Sequence, residues 1–262
     1  KIGAHIFQGK ALDQRVNNNT LDVTLVLPLG RYVSGKVVGT NAVGIPTTDI
    51  RFKDALGAAP TNVQDNGTLA DGTFLTLVDP GLWTVEVIPA ALTHKAPLQI
   101  FNVNLTAGDV ALGNVVVQNG VVFTCSVTDA SFFPLANASV IARTSVGRTR
   151  VFTPLNNTSG AGVVAIVLPQ GGGPYDISAI PPPGTLSTYA TASQYNVLPT
   201  VDVTLPNFAL PPARMLSAHL VAAGTATPVV GADIDVDRWP APFLRIETPN
   251  DITDGAGNFS VG

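Results

Sequence analysis

The chain is poor in charge, cysteine and aromatic side chains. Of its 262 residues, 12% are charged and 6% are aromatic, and the single cysteine is Cys125. Globular domains usually carry about 25% charged residues, so we expect surfaces that are covered by neighbouring domains, other subunits or glycans. One cysteine excludes an internal disulfide framework. Cys125 alternates with Phe123 and Val127, which predicts a buried apolar side chain rather than a reactive thiol.

Two further absences narrow the class of protein. No apolar run approaches the roughly 18–20 residues that a membrane-spanning helix needs, so we expect no membrane span. The net charge of −4 leaves no basic surface for nucleic acid. The chain begins at Lys1 without a signal peptide, so we expect that it is processed or cut from a longer protein.

Signs of catalysis are also missing from the sequence. The histidines His5, His94 and His219 lie far apart and lack the spacing of metal ligands. There is no nucleophile elbow and no phosphate-binding loop at a strand–helix junction. Because no acid, base and nucleophile stand together, we expect neither an enzyme nor a resident cofactor.

Turn residues and alternating strands dominate what is present. The 25 glycines and 21 prolines are scattered along the chain, which favours many short strands. Residues 71–89 show the pattern most fully. Asp71-Gly72 marks one turn and Asp79-Pro80-Gly81 a second. The extended stretches that follow each turn alternate in polarity, so the segment predicts a β-hairpin.

The order of residues in this segment resembles the carboxypeptidase regulatory-like module. The resemblance is carried by Asp71-Gly72, Phe74, Pro80-Gly81, Trp83, Val85, Val87 and Pro89. That family is a small seven-stranded Greek-key β-sandwich, transthyretin-like in shape, with Tyr usual at the position of Trp83. The resemblance implies an all-β chain of tandem, non-catalytic sandwich modules, of the kind that serve as accessory, spacing or adhesive domains in secreted and surface proteins.

The pattern recurs at a nearly constant interval. Modules start near Arg31, Val121 and Ala213, at steps of 90 and 92 residues, and a constant period indicates an array of like units. We predict complete modules at 31–120 and 121–210, with Tyr175 at the position of Trp83 in the second. Residues 211–262 begin a further module. Residues 1–30 end a preceding one, because 21–28 (LDVTLVLP) resemble 201–206 (VDVTLP).

Incomplete modules at both ends suggest two arrangements. The chain is either a window of a longer array or a subunit whose open module is completed by a neighbour's strand. An open sandwich exposes unpaired backbone and apolar faces. We therefore expect a structural repeat of an extracellular or cell-surface filament, stalk or adhesin shaft, with copies of itself as partners. The competing hypothesis is a carbohydrate-binding or spacer accessory region of a large secreted enzyme, with surface glycans as partners.

Two clusters are candidates for ligand binding. Trp239 and Phe243 lie in a proline-rich loop and suit either stacking on a sugar ring or packing against a neighbouring module. Asp233, Asp235 and Asp237 alternate along a predicted strand, Ala232 to Asp237, which places their carboxylates on one face. Calcium takes several oxygen ligands, so this face is a candidate calcium site; the alternative is a solvated strand face.

Asn-x-Ser/Thr sequons are more frequent than composition explains. Chance predicts roughly two or three, and the chain has seven, at Asn18, Asn66, Asn104, Asn137, Asn156, Asn157 and Asn258. Their excess predicts a glycosylated surface protein. The alternative is that Asn and Thr are simply favoured in turns and strands.

Overall fold

The computed structural model describes residues 5–6, 29–198, 200–238, 244–246, 248 and 251–261. Apart from one turn of 3₁₀-helix at Ala91–Thr93, the regular elements in these ranges are strands, which confirms the predicted all-β fold class. The strands are β1 (His5–Ile6), β2 (Leu29–Gly39), β3 (Asp49–Lys53), β4 (Val63–Gln64), β5 (Thr73–Val78), β6 (Leu82–Ile88), β7 (Leu98–Asn104), β8 (Val110–Val117), β9 (Gly120–Asp129), β10 (Ser139–Thr144), β11 (Val163–Pro169), β12 (Tyr175–Ile180), β13 (Ala192–Val197), β14 (Val203–Thr204), β15 (Phe208–Leu210), β16 (Leu216–His219), β17 (Val236–Arg238), β18 (Leu244–Ile246) and β19 (Asn258–Val261).

The chain divides into two compact units, 1–119 and 120–262. In the first unit, one sheet contains β4, β5 and β2, with β8 and the short β1 also paired to β2, and the other contains β3, β6 and β7. Alternate side chains of each strand point to one face of its sheet. The inward residues of both sheets form one buried cluster, which includes Val33, Val37, Ile50, Phe52, Phe74, Val78, Val85, Val87, Val115 and Val117. This unit is therefore a β-sandwich.

The second unit begins with another sandwich. One sheet contains β11 and β9, with β14 and β15 also paired to β9, and the other contains β10, β12 and β13. Phe123, Cys125 and Val127 from β9 lie in its buried core. Cys125 is 1% exposed, and burial raises the pKa of its thiol to about 11. The prediction that Cys125 is a buried apolar side chain is confirmed.

The remainder of the second unit holds smaller pieces of sheet in its described residues. β16 pairs with β19 and β17 pairs with β18, both antiparallel. An isolated bridge joins Asp233 to Ile252. We call this part, from β16 onwards, the third module, and the two sandwiches before it the first and second modules.

The predicted hairpin at residues 71–89 is wrong. β5 pairs with β2 and β4, whereas β6 pairs with β3 and β7, so the turn at 79–81 carries the chain from one sheet to the other. The apolar faces of β5 and β6 meet across the core instead of lying side by side. Trp83 Nε1 donates to the Asp79 carbonyl oxygen at 3.0 Å and so closes the corner.

Tyr175 occupies the equivalent corner of the second module, as predicted. β11 pairs with β9 and β12 with β10, so the turn between β11 and β12 again joins two sheets. The Tyr175 hydroxyl donates to the Pro169 carbonyl oxygen at 3.0 Å, the same kind of bond that Trp83 makes.

One backbone joint is present three times. Its centre is a glycine of positive φ, a conformation that other residues resist: Gly72 (+83°), Gly162 (+70°) and Gly257 (+79°). Each glycine carbonyl accepts the N–H of a first-strand residue at 2.8 Å. The carbonyl of that first-strand residue accepts a second N–H at 2.9–3.0 Å, from Ile45, Leu135 or Val229. The first-strand residues are Val37, Val127 and Leu220. The first strands of the three modules are therefore equivalent.

The finer parts of the fold prediction stay predictions. These are the Greek-key, transthyretin-like connectivity and the four residue ranges 1–30, 31–120, 121–210 and 211–262.

We predict that Gly162→Ala destabilises the second unit more than Gly171→Ala does. Both glycines have positive φ, +70° and +76°, and both substitutions therefore cost about 1–2 kcal/mol. An added Cβ at Gly162 would lie 2.6 Å from the Val127 carbonyl oxygen, whereas nothing lies within 4 Å of one at Gly171. Relieving that contact costs about 1–3 kcal/mol more. Urea unfolding measures the free energy of unfolding of each variant. Equal losses of stability would contradict a stabilising role of the glycine joint.

Candidate functional site: the closing edge of each module

Each complete module is closed by pairing its last strand with its first. We call the edge of the first strand that receives the last strand the closing edge. In the first module β8 runs parallel to β2, and in the second β14 and β15 run parallel to β9. The paired residues are Val33 with Val110, Val37 with Val115, Phe123 with Val203, and Val127 with Phe208. The first strand is thus hydrogen-bonded on both edges.

An aspartate caps each closing edge. Asp109 Oδ1 accepts the N–H of Tyr32 at 2.9 Å, and Asp202 Oδ1 accepts the N–H of Val122 at 2.9 Å. A hydrogen bond to a carboxylate is stronger than one between neutral groups, so the cap sets the register of the last strand. No separate feature of the sequence marks these aspartates as caps. The available signal was the pattern Asp-Val-x-Leu, which begins both last strands and recurs at Asp22.

The closing edge of the third module is open in the described part of the chain. There β16 pairs with β19 alone, at the edge that β5 and β11 occupy in the other modules. Leu216 stands at the place of Val33 and Phe123, because all three lie four residues before the first-strand residue of the glycine joint. Val33 and Phe123 are 0% exposed, whereas Leu216 is 54% exposed.

An apolar hollow adjoins this open edge. It has a volume of about 270 Å³ and is lined mainly by apolar side chains of the second unit, among them Leu216, Val236 and Val261. Burying a leucine side chain contributes roughly 1.5–3 kcal/mol. At this edge the third module therefore has both unpaired strand backbone and an unfilled apolar surface.

The two candidate ligand clusters meet different outcomes. Trp239 and Phe243 lie outside the described residues. The predicted strand from Ala232 to Asp237 is wrong in extent, because β17 begins at Val236 and Asp233 forms only the isolated bridge.

Asp233 and Asp235 are exposed, with Ile234 and Val236 half-buried, and the Asp237 side chain is outside the described set. No group of three or more His, Cys, Asp or Glu side chains within the described ranges could hold a metal ion. The calcium site stays a prediction.

The threonines of two sequons have a structural role. Thr158, the third residue of the Asn156 sequon, donates its hydroxyl to the Leu135 carbonyl oxygen at 2.6 Å and accepts the N–H of Ala138 at 2.9 Å. We call this pair of bonds the threonine bridge; it ties the turn after the first strand to the loop before the glycine joint.

The same bridge occurs in the other two modules. Thr68, of the Asn66 sequon, bonds the Ile45 carbonyl oxygen and the N–H of Thr48. Thr253 lies two residues after Asp251, at the place where the sequons have asparagine. It bonds the Val229 carbonyl oxygen and the N–H of Ala232 in the third module. Asn-x-Thr at these positions serves the fold, whether or not a glycan is attached.

Glycosylation itself stays a prediction. Asn156 is half-buried and its side-chain amide donates to the Ser139 hydroxyl at 2.8 Å. Asn18 lies outside the described residues. The other sequon asparagines, Asn66, Asn104, Asn137, Asn157 and Asn258, are exposed.

Across the described residues, the structure contains no helix that is long and apolar enough to cross a membrane.

Comparison with known proteins gives distant likenesses. No family model and no curated protein matches the chain, so the resemblance to the carboxypeptidase regulatory-like module is unconfirmed and stays a prediction. Among solved structures, the chain is similar to the Bacillus anthracis TIE protein, with 15% identity and a TM-score of 0.28 over 88% of this chain and 43% of that one. It thus spans less than half of the TIE protein.

Two pilins give comparable values. A Streptococcal ancillary pilin has 9% identity and a TM-score of 0.27 over 88% of this chain and 86% of the pilin. The shaft pilin SpaA from Lactobacillus rhamnosus GG has 11% identity and a TM-score of 0.28 over 71% of this chain and 99% of the pilin. At such scores the likeness decides neither the fold nor the function of this chain.

We predict that Thr158→Val destabilises the second unit while Thr158→Ser is tolerated better. Valine keeps the shape of threonine but leaves the Leu135 carbonyl and the buried Ala138 N–H without their partner, which costs about 1–3 kcal/mol for each unsatisfied group. Serine keeps the hydroxyl. Chemical denaturation gives the free energy of unfolding, and the exposed Thr204→Val is the control. Equal stability of the Val and Ser variants would contradict a stabilising role of the threonine bridge.

Proposed function

We propose that this chain is a structural repeat of an extracellular filament, stalk or adhesin shaft. Its open module is completed either by a strand from another copy or by a continuation of a longer chain. The observation that carries the proposal is the closing edge, which is occupied in the first two modules and open in the described part of the third. Unpaired strand edges invite addition of another strand.

The topology of a closed module supports an extending role. Because the first and last strands run parallel, the chain enters a module at one end of these strands and leaves at the other. The connections onward are short: two residues separate β8 from β9, and five separate β15 from β16. Compact units with such connections suit an array that gains length with each repeat.

The surface chemistry suits a secreted location. Only 12% of residues are charged, which fits a surface partly covered by neighbouring modules or glycans. Glycans at the seven sequons and calcium at Asp233, Asp235 and Asp237 are subordinate proposals, and the filament role requires neither.

We predict that negative-stain electron microscopy of the native material shows filaments. Intact mass measured on the same sample separates the two modes of completion. A subunit mass near 27.0 kDa means that separate chains complete one another, and a far heavier chain means a continuous array. Dispersed globular particles would contradict the proposal.

A matched pair of substitutions links the filaments to the closing edge. Leu216 and Leu75 are both leucines on strands, 54% and 53% exposed, but Leu75 lies on the outer face of a closed module. We expect Leu216→Lys to abolish filaments of separate chains because it places a charge where the added strand must pack, and Leu75→Lys to leave them. Loss of filaments in both variants, or in neither, would argue against the closing edge as the site where the strand of another chain is added.

A further inference from the structure

We propose that the closing edge of the third module accepts residues 21–27 of a second copy of this chain as its last strand. The strand runs parallel to β16, and Asp22 of the second copy caps the N–H of Met215. This inference rests on the proposed function and names the partner and the register.

The choice of occupant rests on a sequence that occurs twice in the chain. Residues 22–25 and 202–205 are both Asp-Val-Thr-Leu, and 109–112 are Asp-Val-Ala-Leu. The latter two segments begin the closing strands of the two complete modules. No closing strand for β16 is present among the described residues, and residues 21–27 carry the pattern that fills this place elsewhere.

The complete modules define the register. Val203 pairs with Phe123 and Thr204 with Thr124, and the N–H of Leu205 donates to the Thr124 carbonyl oxygen at 2.8 Å. Transferred to the third module, Val23 lies opposite Leu216, Thr24 lies opposite Ser217, and the N–H of Leu25 donates to the Ser217 carbonyl oxygen. Leu25 then takes the place of the buried Leu205.

The cap transfers in the same way. Asp109 and Asp202 each bond the N–H of the residue one position before the first paired residue, Tyr32 and Val122. The equivalent residue in the third module is Met215, which precedes Leu216. Met215 is 47% exposed, so the donated strand would also cover the apolar surface of this residue.

The spacing along the chain fits a continuing array. Asp109 is followed after 13 residues by the capped Val122, and Asp202 is followed after 13 residues by Met215, which stands at the equivalent position. Asp22 is followed after 10 residues by the capped Tyr32. A donated strand therefore leads into the donor's own first module over a comparable distance. Each copy would donate one strand and receive one, a head-to-tail contact that repeats without closing.

Cross-linking between two separately prepared variants tests the register. Thr24→Cys is mixed with Ser217→Cys under mild oxidation. Neighbouring strands lie about 4.8 Å apart, within the roughly 4.4–6.8 Å that separates the Cα atoms of a disulfide. We expect a disulfide-linked dimer that contains one chain of each variant. The native Cys125 is buried and common to all samples.

Ser260→Cys is the matched control. Ser260 is exposed, pairs with Ser217 on the opposite edge of β16, and shares a hydroxyl–hydroxyl hydrogen bond with it at 2.8 Å, so both variants lose the same bond. Position 260 lies one strand further from the added strand, about 9–10 Å away. We expect at least about tenfold more mixed dimer with Ser217→Cys, since a disulfide does not span that distance.

A second pair of variants tests the cap. Asp22→Ala should weaken self-association, measured by sedimentation velocity, by about tenfold, the effect of losing one hydrogen bond to a charged group. Asp13→Ala removes the same charge outside the pattern and should leave association unchanged. Circular dichroism verifies that each variant is folded.

The outcomes separate this inference from the filament proposal. Mixed dimer no more abundant than the control, with both proteins folded, overturns the assignment of residues 21–27. If filaments are nevertheless seen, the closing strand comes from another segment and the filament role stands. If particles are also dispersed, both proposals fail.

Discussion

The parallel contact between the first and last strands is the interaction on which each module depends. It joins residues far apart in the chain, since the capping bonds of Asp109 and Asp202 span 77 and 80 residues. Apart from the short β1, the other strands of each complete module lie between these two in sequence. A module is therefore closed only when its final segment is in place, and until then its first strand has one unsatisfied edge and a half-covered core.

Local bonds organise the early part of a module without that contact. The glycine joint and the threonine bridge connect the first strand, the turn that follows it and the loop before the next strand of the same sheet. Both are intact in the third module, where the closing edge is open. The early half of a module thus keeps its shape without the late half, which is the property that an acceptor of a separate strand needs.

Strand positions followed well from the sequence, and strand partners did not. The alternation of Phe123, Cys125 and Val127 indicated the buried face of β9, and the repeat placed Tyr175 at the corner that it occupies in the structure. Asp-Pro-Gly at 79–81 predicts a hairpin although it reverses the chain equally well within a sheet or between two sheets. Only the long-range pairing of β5 with β2 distinguishes these cases, and no local pattern reports it.

The candidate site was foreseen in outline only. Repetition indicated an incomplete module, and the likeness of 21–28 to 201–206 pointed to the closing strand. The capping role of Asp109 and Asp202 was missed, because an aspartate at the start of a strand is indistinguishable in sequence from a turn residue. Asn-x-Thr likewise predicts a glycosylation site, because the sequence alone does not distinguish a sequon from the threonine of the bridge.

Parallel terminal strands also determine how a module meets tension. A pull along a chain of such modules acts on the start of the first strand and the end of the last, which lie at opposite ends of the same ladder. The force acts along the strands, perpendicular to the hydrogen bonds. All the bonds of the ladder therefore bear the force at the same time, instead of breaking one after another. A segment held only by this ladder, with no covalent link across it, would still behave under traction as a shear joint.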